Sequence, residues 1–170
     1  MRSSDAERAV ADLAAYQYGV ISRSQAASMG MSASVLRRRV AKGVLKRATP
    51  TVFVTTAAPP SWHQDAMVAV LAHDGSVLSH RAAARLHQLD GFRDAPVELS
   101  IVTRGRHSVG DVQVHHVREL GGITERMGIP VTAIPRTLCD LGSVVDLDRV
   151  EQALDGWSKV FAFLAKHLGR

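Results

Sequence analysis

The side chains with the widest chemical range in these 170 residues are eight histidines and a single cysteine, and their spacing limits what they can do. His80 and His87 lie seven apart on a stretch that reads as a helix, His115 and His116 are adjacent on a stretch that reads as a strand, and His107 sits in the turn Arg104-Gly105-Arg106-His107. A metal centre or an RNA-cleaving site would draw on such residues. Adjacent strand residues point to opposite faces, however, so His115 and His116 cannot share one ion, and the sequence has no His-x-x-x-His or Cys/His pairing. The histidines therefore read as structural or surface groups, with no metal, no cofactor and no catalytic role; a histidine-dependent nuclease is the weaker alternative. Cys139, within Thr137-Leu138-Cys139-Asp140-Leu141, reads as a buried packing thiol. A lone cysteine excludes an internal disulfide and fits a reducing cytosol.

Charge carries more information than these nucleophiles. Between Leu13 and Gln64 there is no Asp or Glu but there are seven cations, Arg23, Arg37, Arg38, Arg39, Lys42, Lys46 and Arg47. That window is +7 in a chain of net charge +5, so the remainder is −2 and the positive charge is a local patch. Its natural counterpart is the phosphate lattice of a duplex. A second basic turn, Arg104 to His107 with Arg118 beyond it, could meet RNA or a partner protein. The few aromatic residues are not interleaved with the basic ones as a base-stacking surface requires, which makes RNA the weaker target.

The elements that must position these cations are legible in the same window. Ser22 with Gln25 forms a capping box for a short helix that breaks at Gly30. Ser32 caps a second helix, in which Ala33, Leu36 and Val40 make an apolar stripe while Ser34, Arg38 and Lys42 lie opposite and Arg37 flanks them. That polar face contains no acid. Gly43 ends the helix, and Val44–Arg47 and Thr51–Val54 are strand-like runs joined by Ala48-Thr49-Pro50, a wing. An earlier helix ending near Tyr18, with a Ser4–Glu7 capping box, buttresses the other two. This is a winged helix-turn-helix, whose second helix enters the major groove.

Ala57-Ala58-Pro59-Pro60 interrupts regular structure and divides the chain into a DNA-binding unit, residues 1–58, and a mixed α/β unit, residues 61–170. The fold class is α+β. In the second unit Trp62–His73 and Ser79–Gln88 read as helices, Pro96–Thr103, Asp111–Val117 and Ile129–Ala133 as strands of a small sheet, and Pro135–Leu141 as a helix. Near the C-terminus Leu147, Val150, Leu154, Trp157, Phe161, Leu164 and Leu168 step by alternate threes and fours, a heptad seam that either packs on the chain's own core or pairs two copies. With 46% hydrophobic residues the chain can bury a good core. It has no membrane-spanning run and no hydrophobic signal core, which points to the cytoplasm.

The order of winged helix, Leu78-Ser79-His80-Arg81-Ala82-Ala83-Ala84, then Gly128-Ile129-Pro130-Val131-Thr132 leading into Pro135-Arg136-Thr137-Leu138-Cys139-Asp140-Leu141 resembles the AbiEi-type antitoxin family of type IV toxin–antitoxin systems. The resemblance implies a winged helix that binds inverted repeats in its own promoter and a following domain that opposes a nucleotidyltransferase-like toxin. Two features depart from the family pattern: Pro50 is followed by Thr51 instead of Gly, and nothing after Asp155 resembles the nuclease-like domain that many relatives carry. The expected function is that of a sequence-specific, autorepressing DNA-binding regulator, acting as a homodimer or as paired monomers; a plain repressor without a toxin is the alternative. On double-stranded DNA, Ser34, Arg37, Arg38 and Lys42 would face the major groove, while Arg23, Arg39, Lys46 and Arg47 would hold phosphates.

Overall fold

The computed structural model describes residues 3–102 and 111–168. Helix α1 (Ser3–Tyr16), strand β1 (Val20–Ser22), helices α2 (Arg23–Ser28) and α3 (Ala33–Ala41) and strands β2 (Leu45–Arg47) and β3 (Val52–Thr55) build the N-terminal unit. Its sheet has the order β1-β3-β2, antiparallel throughout, with Ile21 opposite Phe53 and Arg47 opposite Phe53 on the other side. The wing and the helix following it form where the sequence reading has them, with each wing strand starting one residue later, at Leu45 and Val52, and the helix ending at Ala72. Strand β1 was not anticipated, because three residues have no period of their own and exist as a strand only through pairing with β3, thirty residues away in the chain. The Ser4–Glu7 capping box does not form, since α1 already includes Ser3 and Ser4 lies inside it.

The second unit contains α4 (Trp62–Ala72), β4 (Val77–Leu78), α5 (His80–His87), β5 (Glu98–Ile101), β6 (Gln113–His116), β7 (Ile123–Arg126), β8 (Ile129–Thr132), α6 (Ile134–Leu141) and α7 (Leu147–Leu168). Its sheet runs β6-β5-β4-β8-β7, with β5–β6 and β4–β8 parallel and β4–β5 and β7–β8 antiparallel. Strands β4 and β7 add to the expected three. The Arg104–His107 turn lies outside the described residues.

Helix α4 explains how the two sheets are joined. Its sequence, WHQDAMVAVLA, has apolar groups around most of its circumference, the pattern of a helix covered on more than one side. One face meets Val20 and Val52 of the first sheet and the other meets Leu78, Leu99, Ile129 and Val131 of the second, so a single apolar cluster runs through Ala66, Met67, Ala69 and Val70. The opposite face of the first sheet carries Ile21 and Phe53 into a separate cluster with Val10, Ala14, Ala26, Met31, Leu36 and Leu45. Strand β1 is therefore buried on both faces and lacks polar alternation. The Gln64 side-chain amide donates to the Tyr18 carbonyl at 2.8 Å, and the Tyr18 hydroxyl donates to the Met127 carbonyl at 2.7 Å. Gly19 permits this approach: it has φ +84°, and a Cβ there would stand 2.4 Å from Ala58 Cβ.

A third cluster joins α5, α6 and α7 through Ala84, Leu89, Phe92, Leu141, Val150 and Ala153. It divides the part of the heptad seam that is described, the side chains of Trp157, Phe161, Leu164 and Leu168 lying outside the described residues. Val150 and Ala153 are buried, whereas Leu147 and Leu154 are exposed; at 3.6 residues per turn those two fall roughly a quarter turn from the centre of the buried arc. Cys139 is exposed, not buried as expected, because α6 directs Thr137 and Leu141 inward and Leu138 partly so. Among the described residues no helix is long and apolar enough to cross a membrane.

Candidate nucleic-acid interface

The caps that start α2 and α3 are those legible in the sequence. Ser22 Oγ accepts the Gln25 amide at 3.1 Å, and Gln25 Oε1 accepts the Ser22 amide at 3.0 Å. Ser32 Oγ accepts the Val35 amide at 3.3 Å. Each cap satisfies orphan amides at a helix start. Leu36 is buried and anchors α3 against the first core, with Val35 and Val40 partly buried beside it.

The outward face of α3 is a stripe of Ala33, Ser34, Arg37, Arg38 and Ala41, continued by Lys42 at the C-cap, all exposed. Ala33 belongs to this face and not to the buried stripe, because the inward arc is centred on Leu36 and Val40 and Ala33 lies at its margin. Ser34 Oγ lies 2.9 Å from Ser32 Oγ, beside the helix start.

The cations divide into two groups. Arg23, Arg37 and Arg47 converge on a cleft of about 310 Å³ between α3 and the wing, floored by Leu36, Val40 and Phe53. Arg23 reaches across the wing turn and donates through Nη2 to the Pro50 carbonyl at 2.8 Å. Arg47 lies over the Phe53 ring, with its guanidinium carbon 5.7 Å from the centroid. Lys46 is exposed next to it. The wing turn is closed by Thr49, whose Oγ1 accepts the amides of Thr51 and Val52 at 3.3 and 3.0 Å.

Arg38 and Arg39 belong to the second group. Glu7 on α1 forms an ion pair with Arg39 Nη2 and lies 3.7 Å from Arg38 Nη2. An acid therefore does reach α3. It escaped the charge count because it lies upstream of the acid-free window and comes near only through the packing of α1. Both arginines occupy the last turn of α3, where their charge also favours the negative end of the helix.

A separate polar constellation occupies the second sheet. Glu98 is completely buried and does three things there. Its Oε2 accepts the Arg81 amide at 3.0 Å, capping α5 where Ser79 makes no side-chain cap; its Oε1 accepts Arg81 Nε at 2.7 Å; and its Oε2 lies 3.9 Å from His115 Nε2. The His80 and His115 rings stack with centroids 3.6 Å apart. Burial pushes both imidazoles below the ordinary histidine pKa, and each also feels Asp140, whose charge acts the other way. His80 is held at φ +50°, a left-handed conformation that costs a residue of this type on the order of 1–3 kcal/mol. Sequence spacing could not show this group because its members come from α5, β5 and β6. His87 is apart from it, accepting no neighbour at Nδ1 and meeting the Thr132 carbonyl through Nε2 at 2.7 Å.

No curated protein matches the chain. Residues 8–54, from α1 through the wing, match the family model described as transcriptional regulator, AbiEi antitoxin; the stretches Leu78–Ala84 and Gly128–Leu141 lie outside that match.

Proposed function

We propose that this chain is a sequence-specific DNA-binding repressor acting on its own promoter as the antitoxin of a type IV pair. One observation carries the reading: within the segment that matches an antitoxin regulator family, the outward face of α3 and the adjoining wing present Ser34, Arg37, Lys42, Lys46 and Arg47 to solvent with no acid among them. A helix with such a face docks in a major groove while the wing follows the flanking backbone. Ser34 and Arg37 are best placed to meet base edges, near the N-terminal half of α3, and Arg38 and Lys42 continue the same face towards its end. Arg23, Lys46 and Arg47 hold phosphates on the wing side. Arg39, paired with Glu7, ties α3 to α1 and adds a phosphate contact only where Glu7 releases it.

One recognition helix per chain reads one half-site, so an inverted-repeat operator requires two copies. The second unit is the part left to oppose a nucleotidyltransferase-like toxin. Footprinting on the DNA upstream of the gene tests the proposal: two protected half-sites separated by about one helical turn or a multiple of it are expected. Uniform protection of any duplex, or none, would contradict it. The toxin arm is tested by co-expression with the neighbouring gene, where rescue of growth by this chain is expected and toxicity unaffected by it would remove the antitoxin role.

A further inference from the structure

We propose that His80, Glu98 and His115 form a binding site for a divalent transition-metal ion of the zinc class, with at least one coordination position left open. The three residues each offer one donor atom, and these atoms lie within 4.8 Å of one another. Two imidazoles and a carboxylate are a donor set suited to such an ion, and three protein ligands leave room for a water or an outside group.

Several features of the cluster are hard to account for as packing alone. His115 Nε2 is buried and has no hydrogen-bond partner. Its distance of 3.9 Å from Glu98 Oε2 is too long for a hydrogen bond, but it suits two donors each about 2.0–2.2 Å from one shared cation. Asp140 Oδ2 is a second buried polar atom without a partner, although Oδ1 accepts Arg136 Nε at 2.7 Å. Asp140 is close enough for its charge to act on both imidazoles. An orphaned nitrogen on His115 and the orphaned Asp140 oxygen, whose charge acts on both rings, mark a place where positive charge is wanted. Because the rings stack at 16°, ligation by both requires one imidazole to turn about its Cβ–Cγ bond until the two in-plane lone pairs meet.

The supporting contacts are those of a ligand site. His80 Nδ1 is held by the buried Ser79 hydroxyl at 2.9 Å, which orients the ring and leaves Nε2 as the donor. Glu98 is held by Arg81 at both oxygens, Oε1 accepting Nε and Oε2 the backbone amide, and the second lone pair of Oε2 remains for an ion on the His115 side. Arg81 and Arg136 oppose a cation, and Glu98 and Asp140, with which they pair, compensate, so the surroundings are close to neutral before the ion enters. Because β6 is an edge strand, binding would fasten that edge to α5 and β5.

The test uses the full chain, freed of metal by a chelator, titrated with Zn²⁺ by calorimetry and with Co²⁺ by visible absorption. One equivalent bound, Co²⁺ ligand-field bands and a melting temperature that rises with Zn²⁺ are expected. His115→Ala and His80→Asn, the latter chosen because Asn accepts a left-handed backbone, should abolish the Co²⁺ bands. Ser79→Ala should weaken Zn²⁺ about 10–100-fold, and His116→Ala on the same strand should leave binding unchanged. If the wild-type chain binds no equivalent, or if His115→Ala, His80→Asn and Ser79→Ala all retain wild-type affinity, the site does not exist. Should His115→Ala or Ser79→Ala fail to fold, His80→Asn and the wild-type titration still decide the matter.

Discussion

Replacing Glu7 by Gln separates the two jobs done by the arginines of α3. The carboxylate is the only acid that the described structure brings to that helix's ion pairs, and it holds Arg39, whose side chain is 35% exposed, and more loosely Arg38, at 58%. Solvent screens both pairs, so their loss should cost folding only about 0.2–1 kcal/mol each, with the Arg38 pair at the lower end. In a chain of this size that lowers the melting temperature by roughly 1–4 °C. DNA binding should move in the opposite direction. Freeing a cation to meet one further phosphate steepens the dependence of log K on log salt by about 0.9, and affinity at low salt should rise on any duplex alike. Fluorescence anisotropy on an operator and on a scrambled duplex, each across a salt series, reads both quantities. The reasoning fails if Glu7→Gln weakens binding to both duplexes, because Glu7 would then be needed to aim the arginines and not be competing for them.

Other parts of the account make separate claims. Gly19→Ala places a Cβ 2.4 Å from Ala58 Cβ and 2.8 Å from Thr55 Cγ2 at φ +84°, and should destabilise the chain by at least ~2 kcal/mol, seen as a loss of roughly 4–8 °C in thermal melting. A fragment ending at Pro60 loses α4 and exposes Val20 and Val52, so circular dichroism should find it largely unfolded, whereas one extended to residue 73 should regain structure. His87 is held below its ordinary pKa chiefly by burial, against the opposing pull of its bond to Thr132. The unfolded chain therefore binds the proton more readily, and the His87 contribution is complete above about pH 6.5 and is lost progressively as pH falls towards the folded-state pKa. Urea midpoints between pH 7.5 and 5 should fall less steeply for His87→Gln than for the unaltered chain; equal slopes would show that His87 is not responsible.

What the sequence revealed was what is local. Ser22 with Gln25, Ser32, the alternation of Val97 to Ile101 and the run from Trp62 to Ala72 each specify an element through neighbours a few residues away, and each element forms. Strands β1 and β4 are two or three residues long and take their identity from a partner strand, so no period announces them. Strand β7 is mostly exposed, so it has no buried face whose alternation could announce it. The cations of the interface were legible because they crowd one window, but Glu7 was not, since it meets Arg39 thirty-two residues on. The same limit hid the His80–Glu98–His115 group: pairing His115 with its neighbour His116 was the natural test in sequence, and the real partners stand on other elements.

The central claim, that α3 and the wing read a duplex, is tested most directly by one titration: the unaltered chain and Arg37→Ala, each on the footprinted operator and on a scrambled duplex at fixed salt. Among the described residues Arg37 has no ion pair or hydrogen bond to lose, so its removal should leave melting unchanged. The account predicts about 1–3 kcal/mol lost on the operator and much less on the scrambled sequence. Operator affinity unaltered in Arg37→Ala would contradict it.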